Sequence, residues 1–381
     1  MRAAEATRPK NEVSATARLA RSINLGFFPH LFPISGEVGL EKVLAFVAKL
    51  CLRGEPLALA IDKGRELGLL KGLNGDLVYS KAREFLLHYH SLSGSPRERA
   101  EKFLRGMGRP AFPEWAEQRI PRLRLEAEAS IRRNYWFWVN PFKGDQDKTL
   151  REIGEKIEFE RDNDFPELYR VTKGDPSKVK AFKEGKAVIQ DKASFAVVNA
   201  LNPKPGELIY DMASAPGVKT ALIMALTEGR AEVVASELSR TRLEKELSFL
   251  KLLNVDLRKV HLIQADSRNP LIRRADKVLL DAPCSSSGMV PNDPCVLLTL
   301  TPEKVKRFSE LQREMLKTAV EISNYVTYSS CSVFPEEGEE LVEGFKTLRL
   351  SFGEPSGNGV RFWPSRGTQG FFISVITGRK D

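Results

Sequence analysis

The sequence has 381 residues, of which 42% are hydrophobic and 29% are charged, as in a globular protein of two or three domains. This composition excludes collagen-like and wholly disordered chains, and no run of about 18 apolar residues predicts a transmembrane helix. The 59 Lys and Arg residues outnumber the 50 Asp and Glu residues, which gives a net charge of +9. This excess favours a polyanionic partner such as nucleic acid, although a surface rich in ion pairs would give the same balance.

The chain divides into segments of different character. The first residues lack the apolar core of a secretory signal, so we expect a cytoplasmic protein with reduced thiols. Residues 1–34 are polar and basic and are interpreted as a flexible arm. Residues 35–110 show helical periodicity and predict an all-helical domain. Residues 111–186 combine strand-like aromatic runs with a short helical stretch, which predicts a small mixed α/β subdomain.

Residues 187–381 predict an α/β domain in which short apolar strands precede amphipathic helices. Strands followed by helices imply right-handed crossovers and a doubly wound, mostly parallel, Rossmann-like sheet. In such sheets a ligand binds beyond the carboxyl ends of the strands. The predicted strands are GELIYD, AEVVASE, KVHLIQAD, KVLLDAP, YVTYSS and FFISVI.

An acidic residue follows each of the first four predicted strands: Asp211, Glu237, Asp266 and Asp281. A helix cap or turn explains any one of them, but a series of four indicates a ligand site. The first turn, DMASAPGVKT, contains no GxGxxG or GxxxxGK[ST] pattern, which disfavours NAD, FAD and nucleoside triphosphates. A nucleoside cofactor without phosphates, S-adenosyl-L-methionine, fits better. Glu237 would then bind its ribose, Asp266 its adenine edge, and Asp281 the region of its sulfonium and amino groups.

Two of the four cysteines follow predicted strands. Cys284 comes after the fourth strand and Cys331 after the fifth, so both thiols are expected at one crevice, in turns whose amides lower a thiol pKa. Cys51 and Cys295 are interpreted as small core residues, because four scattered cysteines form neither a disulfide framework nor a zinc site. No metal site is predicted.

Two thiols suit methylation at carbon 5 of a pyrimidine. A thiolate that adds to carbon 6 makes carbon 5 nucleophilic enough to attack a sulfonium methyl group. The proton on carbon 5 must then leave and the thiolate must be eliminated, a step that a second thiol can assist. Asp281, if it is protonated or shares a proton, would hold N3 and the exocyclic amine of cytosine, and Lys219 would orient a thiol or the base electrostatically.

The motifs DMASAPGVKT, DAPCSSSGM and YSSCSVFPEEGE resemble those of the RNA (cytosine-5) methyltransferases of the NOL1/NOP2/Sun family. The resemblance covers about Phe112 to Asp381 and implies S-adenosyl-L-methionine as cofactor, Cys331 as nucleophile and Cys284 as the thiol that assists release. The cofactor contacts implied by the resemblance are Ala213, Ser214, Ala215, Pro216, Gly217, Val218, Lys219, Glu237, Asp266 and Asp281.

Three positions depart from the family pattern. The first turn reads ASAPGVK where CAAPGGK is usual, which keeps the Pro, Gly and Lys. Trp138 stands where the family usually has Arg, so stacking on a base would replace a phosphate contact. Ser365 stands where His is common. None of these differences removes a catalytic group.

The helical segment resembles the NusB-type domain that precedes the catalytic part in a bacterial ribosomal-RNA member of the family. This resemblance implies RNA-phosphate contacts for Arg83 and for the basic stretch at residues 94–109. Tyr135, Trp136 and Trp138 either stack on unpaired bases or pack in a core, and the sequence leaves both open.

We therefore expect a monomeric cytosine-5 methyltransferase that acts on RNA, with ribosomal RNA favoured over transfer RNA. Methylation of DNA or of uracil is a weaker alternative, because a mechanism with a single cysteine leaves the second thiol unexplained. The non-enzymatic alternative is an RNA-binding factor of ribosome assembly that keeps the fold without turnover. Two retained thiols and four acids at the strand ends argue against it.

Overall fold

The computed structural model describes residues 39–270 and 272–379, so the predicted arm at residues 1–34 lies outside the described residues. The helical prediction for the first described segment is confirmed. Val43 and Val47 on the first helix, and Ala82 and Phe85 on the third, are buried at the spacing of a single helical face. The four helices of this unit are α1 (Leu40–Cys51), α2 (Leu57–Glu66), α3 (Gly75–His88) and α4 (Pro96–Leu104).

A small antiparallel sheet with strand order β2-β3-β1-β4 follows this unit, as the mixed composition of the segment predicts. Trp136 and Trp138 are buried on β1, and the Trp138 indole donates a hydrogen bond to Gln190 at 2.8 Å, so both pack in a core and do not stack on RNA. Tyr135 remains half-buried beside them. The elements are α5 (Glu114–Arg119), α6 (Leu123–Ala129), β1 (Trp136–Val139), α7 (Gln146–Gly154), β2 (Glu158–Arg161), β3 (Leu168–Lys173), α8 (Lys180–Lys183) and β4 (Ala187–Ile189).

The larger sheet has the predicted doubly wound arrangement, and all six predicted strands are present. Five parallel strands are extended on one side by antiparallel ones, in the order β11-β12-β13-β9-β8-β5-β6-β7, with β10 paired to β13. The elements are α9 (Lys192–Leu201), β5 (Leu208–Asp211), α10 (Val218–Leu226), β6 (Glu232–Glu237), α11 (Arg240–Leu252), β7 (Val260–Gln264), β8 (Lys277–Asp281), α12 (Pro302–Ile322), β9 (Val326–Ser330), α13 (Glu339–Val342), β10 (Phe345–Leu348), β11 (Glu354–Ser356), β12 (Gly359–Phe362) and β13 (Phe371–Arg379).

Helices cover both faces of this sheet. Ile209 belongs to an apolar cluster with residues of α9, α10 and α11, whereas the next residue, Tyr210, belongs to a second cluster with residues of α12. Successive side chains of a strand point to opposite faces, so the two clusters are the two sides of the sheet. The open edge at the strands' carboxyl ends is left for a ligand. In the described part of the chain, no helix is long and apolar enough to cross a membrane.

Cys51 and Cys295 are buried, as predicted, but the expectation that they are unpaired is wrong, because they form a disulfide. Helix α1 packs against the short helical turn Pro294–Thr299, which brings the two Cα atoms to 5.0 Å. The cysteines are 244 residues apart in sequence. The predicted reduced state therefore holds only for Cys284 and Cys331, which are free.

The predicted phosphate contact of Arg83 is also wrong. Its guanidinium is partly buried and donates hydrogen bonds to the carbonyls of Ile131, at 2.6 Å, and Pro291, at 2.7 Å. Burial also lowers the pKa of Arg83. In the basic stretch at residues 94–109, Arg99 and Arg109 likewise bind carbonyls or carboxylates of the protein. Arg83 and Arg109 thus attach the helical unit to later parts of the chain, whereas the bonds of Arg99 lie within the unit.

We predict that the disulfide stabilises the protein. Replacing Cys51 by Ser should lower the melting temperature, because a cross-link over this separation is worth up to roughly 5 kcal/mol through the entropy of the unfolded chain. A reducing agent should lower the melting temperature of the parent protein and leave that of the Cys51→Ser variant unchanged. Thiol titration of the denatured, unreduced protein should find two thiols, and a count of four would show that the bond is absent.

Candidate functional site

The carboxyl ends of β5, β6, β7 and β8 bring three of the four predicted acids to the open edge of the sheet. Glu237 and Asp281 are the last residues of β6 and β8, and Asp266 lies two residues beyond β7. Two neighbouring clefts open at this edge, one lined by Glu237 and Asp266 and the other by Asp281. Arg242 of α11 lines both clefts.

The first cleft has a volume of about 530 Å³. Glu237 is buried in its wall, where one carboxylate oxygen accepts a hydrogen bond from the backbone N–H of Ser239 at 2.9 Å and the other pairs with Arg242 at 3.1 Å. Asp266 pairs with Arg268 at 2.7 Å, and this hydrogen bonding holds the pKa of Asp266 below its usual value. Two carboxyl groups that line one cleft suit the hydroxyls and amine of a nucleoside. Ala213 also lines this cleft.

The second cleft, of about 410 Å³, is lined by three of the four predicted catalytic residues, and Cys284 is the exception. Lys219 Nζ lies 2.7 Å from Asp281 Oδ2, and Ser329 Oγ donates a hydrogen bond to Asp281 Oδ1 at 2.7 Å. Burial disfavours the charged ammonium, but the adjacent Asp281 carboxylate raises the pKa of Lys219 overall. The predicted site residues that line this cleft are Ala215, Pro216, Val218, Lys219, Asp281 and Cys331.

The two free thiols are neighbours, as their positions after adjacent strands predict. Cys331 lines the second cleft directly after β9, whereas Cys284 is buried behind it, with 8% of its surface exposed. Hydrogen bonding to Cys331, together with burial, raises the pKa of Cys284 well above its usual value. The expectation that the turns lower the pKa of both thiols is therefore wrong for Cys284. At neutral pH Cys284 is a thiol that can donate a hydrogen bond to the other sulfur.

Glu337 connects the loops that carry these thiols. Its side chain is fully buried, and one carboxylate oxygen accepts hydrogen bonds from the backbone N–H of Ser285 at 2.7 Å and from Gln312 Nε2 at 3.1 Å. The other oxygen accepts from Ser332 Oγ at 2.6 Å. Because Ser285 and Ser332 each directly follow a free cysteine, one carboxylate fixes the spacing of the two loops.

Asp211 does not contribute to either cleft. It is 1% exposed and accepts a hydrogen bond from Thr220 Oγ1 at 2.8 Å beneath the turn at residues 213–217. Ser214 and Gly217 of this turn line neither cleft, whereas the two alanines and the proline of the turn do. Gly217 directly precedes α10 and has a φ of 92°, the left-handed conformation that glycine adopts without strain. Within the turn, the Ser214 side chain therefore rests on the protein and its apolar neighbours face the clefts.

Sequence reasoning missed several residues that shape the site. Arg361 is buried, donates a hydrogen bond to the carbonyl of Ser332 and pairs with Glu339, so it holds the loop after Cys331. Asp191 lines the second cleft, and its burial raises its pKa to about 6. A helix-capping pattern marks Asp191 in the sequence, since its carboxylate accepts from the N–H two residues later. No local pattern marks Arg361.

Ser365, which stands where the family often has His, binds inside the protein. Its backbone N–H and its Oγ donate hydrogen bonds to the buried Glu126 carboxylate at 2.7 and 2.9 Å, and Arg122 also donates to that carboxylate at 2.9 Å. The loop is thus anchored to helix α6. Among the described residues, no group of three His, Cys, Asp or Glu side chains is arranged to hold a metal ion.

Comparisons with known proteins agree with this geometry. A family model described as 16S rRNA methyltransferase RsmB/F matches residues 198–377. A tRNA (cytosine(72)-C(5))-methyltransferase of Pyrococcus horikoshii is 35% identical over 222 residues, which are 54% of this chain and 56% of that protein. Ribosomal RNA small subunit methyltransferase B of Klebsiella pneumoniae is 27% identical over 345 residues, 85% of this chain and 76% of that protein. The chain thus spans about half of the first relative's length and three quarters of the second's.

Solved structures show the same fold. A methyltransferase homolog protein from Pyrococcus horikoshii superposes with a TM-score of 0.61 at 27% identity, over 79% of this chain and 99% of that one. The structure of NSun6 from the same organism, solved with SFG, superposes with a TM-score of 0.62 at 24% identity, over 70% of this chain and 97% of that one. The likeness extends over most of the described residues.

We predict that Glu337 is required for the stability of the two loops. Replacing it by Ala leaves several buried hydrogen-bond donors unsatisfied and should lower the free energy of unfolding by about 3 kcal/mol, measured by denaturant unfolding. The exposed Glu340→Ala is the matched control and should change the free energy by less than about 0.5 kcal/mol. Equal effects of the two substitutions would contradict the role given to Glu337.

Proposed function

Since residues 198–377 belong to the RsmB/F methyltransferase family, we propose that the protein transfers a methyl group from S-adenosyl-L-methionine to carbon 5 of a cytosine in RNA. The observation that carries this proposal is the pair of neighbouring free thiols beside the Lys219–Asp281 ion pair, at the carboxyl ends of adjacent parallel strands. An RNA-binding factor without turnover has no use for this arrangement. DNA or uracil methylation through one cysteine leaves Cys284 without a role.

Cys331 is the nucleophile, because its sulfur is the one that lines the cleft. Its thiolate adds to carbon 6 of the cytosine, and carbon 5 becomes able to form the new carbon–carbon bond. The bound cofactor supplies the electrophilic methyl group. The Asp281 carboxylate accepts a hydrogen bond from the exocyclic amine of the base and binds N3 only through a proton that the two groups share. Lys219 holds Asp281 in place and adds positive charge near the Cys331 thiolate.

Cys284 assists the release of the product. The proton on carbon 5 passes to a base, the carbon 6–sulfur bond breaks, and its electron pair returns to Cys331. Because Cys284 stays protonated at neutral pH, it donates a hydrogen bond to the departing sulfur and stabilises the thiolate that forms. The raised pKa of Cys284 favours this assisting role over that of the base that accepts the proton.

Residues of both clefts would hold the cofactor. Glu237 would bind the ribose hydroxyls, Asp266 the adenine edge, and the turn from Ala213 to Lys219 the methionine part. Arg242 lines both clefts, and its guanidinium donates a hydrogen bond to the carbonyl of Ala215 and pairs with Glu237.

Exposed basic residues at the mouth of the second cleft are suited to bind the RNA backbone. Arg132 and Arg133 are exposed and form no ion pair within the part of the chain that the structure describes. The Arg133 guanidinium lies 4.7 Å from the centre of the half-buried Tyr135 ring, which lines the cleft. Arg366 is exposed on an adjoining groove that shares Asn134 with this cleft. A splayed single strand can place a phosphate on these cations and its base in the cleft.

Ribosomal RNA is favoured over transfer RNA as the substrate. The alignment with the small-subunit ribosomal RNA enzyme covers 85% of this chain, so it extends beyond the methyltransferase domain towards the helical unit. The higher identity of the tRNA methyltransferase, 35%, applies to 54% of the chain and keeps transfer RNA as the second candidate. The part of the chain outside the methyltransferase domain therefore favours the ribosomal substrate.

We predict that Cys284→Ala accumulates a covalent RNA–protein species that survives a denaturing gel, because addition proceeds and release stalls. The Cys331→Ala variant should give no such band, since it lacks the nucleophile. The measurement uses labelled small-subunit ribosomal RNA and, in parallel, transfer RNA, both prepared from cells that lack the protein. A band with Cys331→Ala but not with Cys284→Ala would reverse the assignment of the two thiols, and a stronger band with transfer RNA would reverse the substrate preference.

We predict that Glu237→Ala and Asp266→Ala each weaken cofactor binding by on the order of 1–3 kcal/mol, the scale for a lost hydrogen bond to a charged acceptor. Isothermal titration calorimetry with S-adenosyl-L-methionine measures the change. Glu244→Ala is the control, because Glu244 is exposed on α11 and pairs there only with Arg240. An unchanged affinity would remove the substituted acid from the site.

A further inference from the structure

Two buried carboxyl groups lie beneath the cofactor turn, and neither takes part in the mechanism described above. Asp211 is 1% exposed and Glu246, on α11, is fully buried. Thr220 Oγ1 lies between them, 2.8 Å from Asp211 Oδ2 and 3.2 Å from Glu246 Oε1. The other oxygen of Glu246 accepts a hydrogen bond from Ser214 Oγ at 2.7 Å. Glu246 thus joins the turn to the acid at the end of β5.

The number of protons in this cluster is limited. The Thr220 hydroxyl has one proton and an ionised carboxylate has none to donate, so Thr220 can satisfy only one of two ionised neighbours. If either Asp211 or Glu246 carries a proton, that acid donates to Thr220 Oγ1 and Thr220 donates to the other acid. Both contacts of Thr220 are then hydrogen bonds. Burial raises the pKa of both groups, that of Asp211 to about 7, with repulsion from Glu246 as the next cause. Geometry and electrostatics agree on one shared proton near neutral pH.

The surrounding charges do not neutralise the pair. Asp211 faces Asp281 and Lys219 as well as Glu246, and Lys219 is already paired with Asp281 at 2.7 Å. Glu246 faces Glu237 and Arg242, which pair with each other at 3.1 Å. Within the described residues, no ion pair includes Asp211 or Glu246. Ionisation of both carboxyls would therefore leave two like charges about one hydroxyl group, where repulsion is strong.

The turn itself rests on Glu246. A Cβ added at Gly217 would lie 2.7 Å from Glu246 Cγ, so the backbone of the turn is in direct contact with this side chain. Ser214, three residues earlier, is tied to the same carboxyl group. The family pattern CAAPGGK has alanine at the position of Ser214, so this tie is a feature of the present sequence. A shift of Glu246 away from Asp211 moves the turn at both points.

We propose that Glu246 is a positioning residue for the cofactor turn, and that it holds the turn in its binding conformation only while it shares one proton with Asp211 through Thr220. This inference rests on the proposed function, because it assigns the turn to the cofactor. As the pH rises through neutrality the shared proton is lost, Glu246 and Asp211 repel each other, and cofactor affinity falls.

The test is calorimetric titration of the full-length protein with S-adenosyl-L-methionine between pH 6 and pH 9. Each protein's loss of affinity between pH 6 and pH 9 is measured. The loss in the parent protein should be about tenfold larger than the loss in Glu246→Gln. That variant is neutral at every pH and keeps both hydrogen bonds, because its amide donates to Thr220 and its carbonyl accepts from Ser214. Its affinity at pH 6 should lie within twofold of the parent value. Titration of the cofactor's own amino group is common to both proteins and cancels in the comparison.

Two further variants make the outcome decisive. Glu244→Gln removes an exposed charge from the same helix and should follow the pH dependence of the parent protein. Ser214→Ala breaks the tie between turn and carboxyl group, and should weaken binding about fivefold at pH 6 and reduce the pH dependence. This variant keeps the test valid if Glu246→Gln does not fold.

The same pH dependence in Glu246→Gln as in the parent protein would overturn the inference. If Glu246→Gln does not fold, an unchanged affinity and pH profile in Ser214→Ala would overturn it. Failure of the parent protein to bind S-adenosyl-L-methionine at any pH would overturn the proposed function instead, so the two failures are distinguishable.

Discussion

The buried carboxylate of Glu337 is the interaction on which the candidate site depends. In loops that follow parallel strands, the backbone N–H groups and hydroxyls have no partner in a neighbouring strand. The hydrogen bonds of the sheet therefore do not fix the distance between two such loops. Glu337 accepts hydrogen bonds from the residue after Cys284 and from the residue after Cys331. The sheet brings the thiols to adjacent strand ends, and this carboxylate determines how far apart they lie. The proposed division of roles, with Cys331 as nucleophile and Cys284 as the thiol that assists release, rests on burial, because of these two thiols only Cys331 lines the cleft.

The sequence predicts the features that arise from local pattern and from the rules of parallel sheets. Apolar runs mark the strands, and the acids and cysteines that follow them lie at one edge because parallel strands end there together. Contacts between distant segments leave no such trace. Cys51 and Cys295 are 244 residues apart, and only the packing of α1 against the Pro294–Thr299 turn brings them within bonding distance. Asp211 shows a different kind of error. It lies at the end of a strand, as predicted, but its side chain is buried beneath the turn and lines neither cleft.

The thiol environment shows why the chemistry of a residue cannot be taken from its turn alone. Backbone amides near Cys284 favour a thiolate, but burial, a second sulfur and the charge of Glu337 act in the opposite direction and prevail. The same reasoning applies to Arg83. A cation on a surface helix suggests a phosphate contact, yet two of the three nitrogens of this guanidinium donate to carbonyl groups at residues 130, 131 and 291. The cations that we propose for RNA are those at the cleft mouth, of which Arg133 lies over an aromatic ring.

Buried acids support both sides of the site, and the two supports differ in how they are satisfied. Glu337 accepts from an amide N–H, an amide side chain and a hydroxyl, so a single carboxylate has a donor for each bond it makes. Glu246 shares its hydroxyl donor with Asp211 and therefore needs a proton that solvent can remove. A carboxylate with enough donors makes a rigid link, whereas a pair with one donor too few makes a link that depends on pH. The loops that carry the thiols are held by the rigid link, and the cofactor turn is held by the link that depends on pH. The geometry of the thiols is therefore maintained at a pH at which the affinity for the cofactor changes.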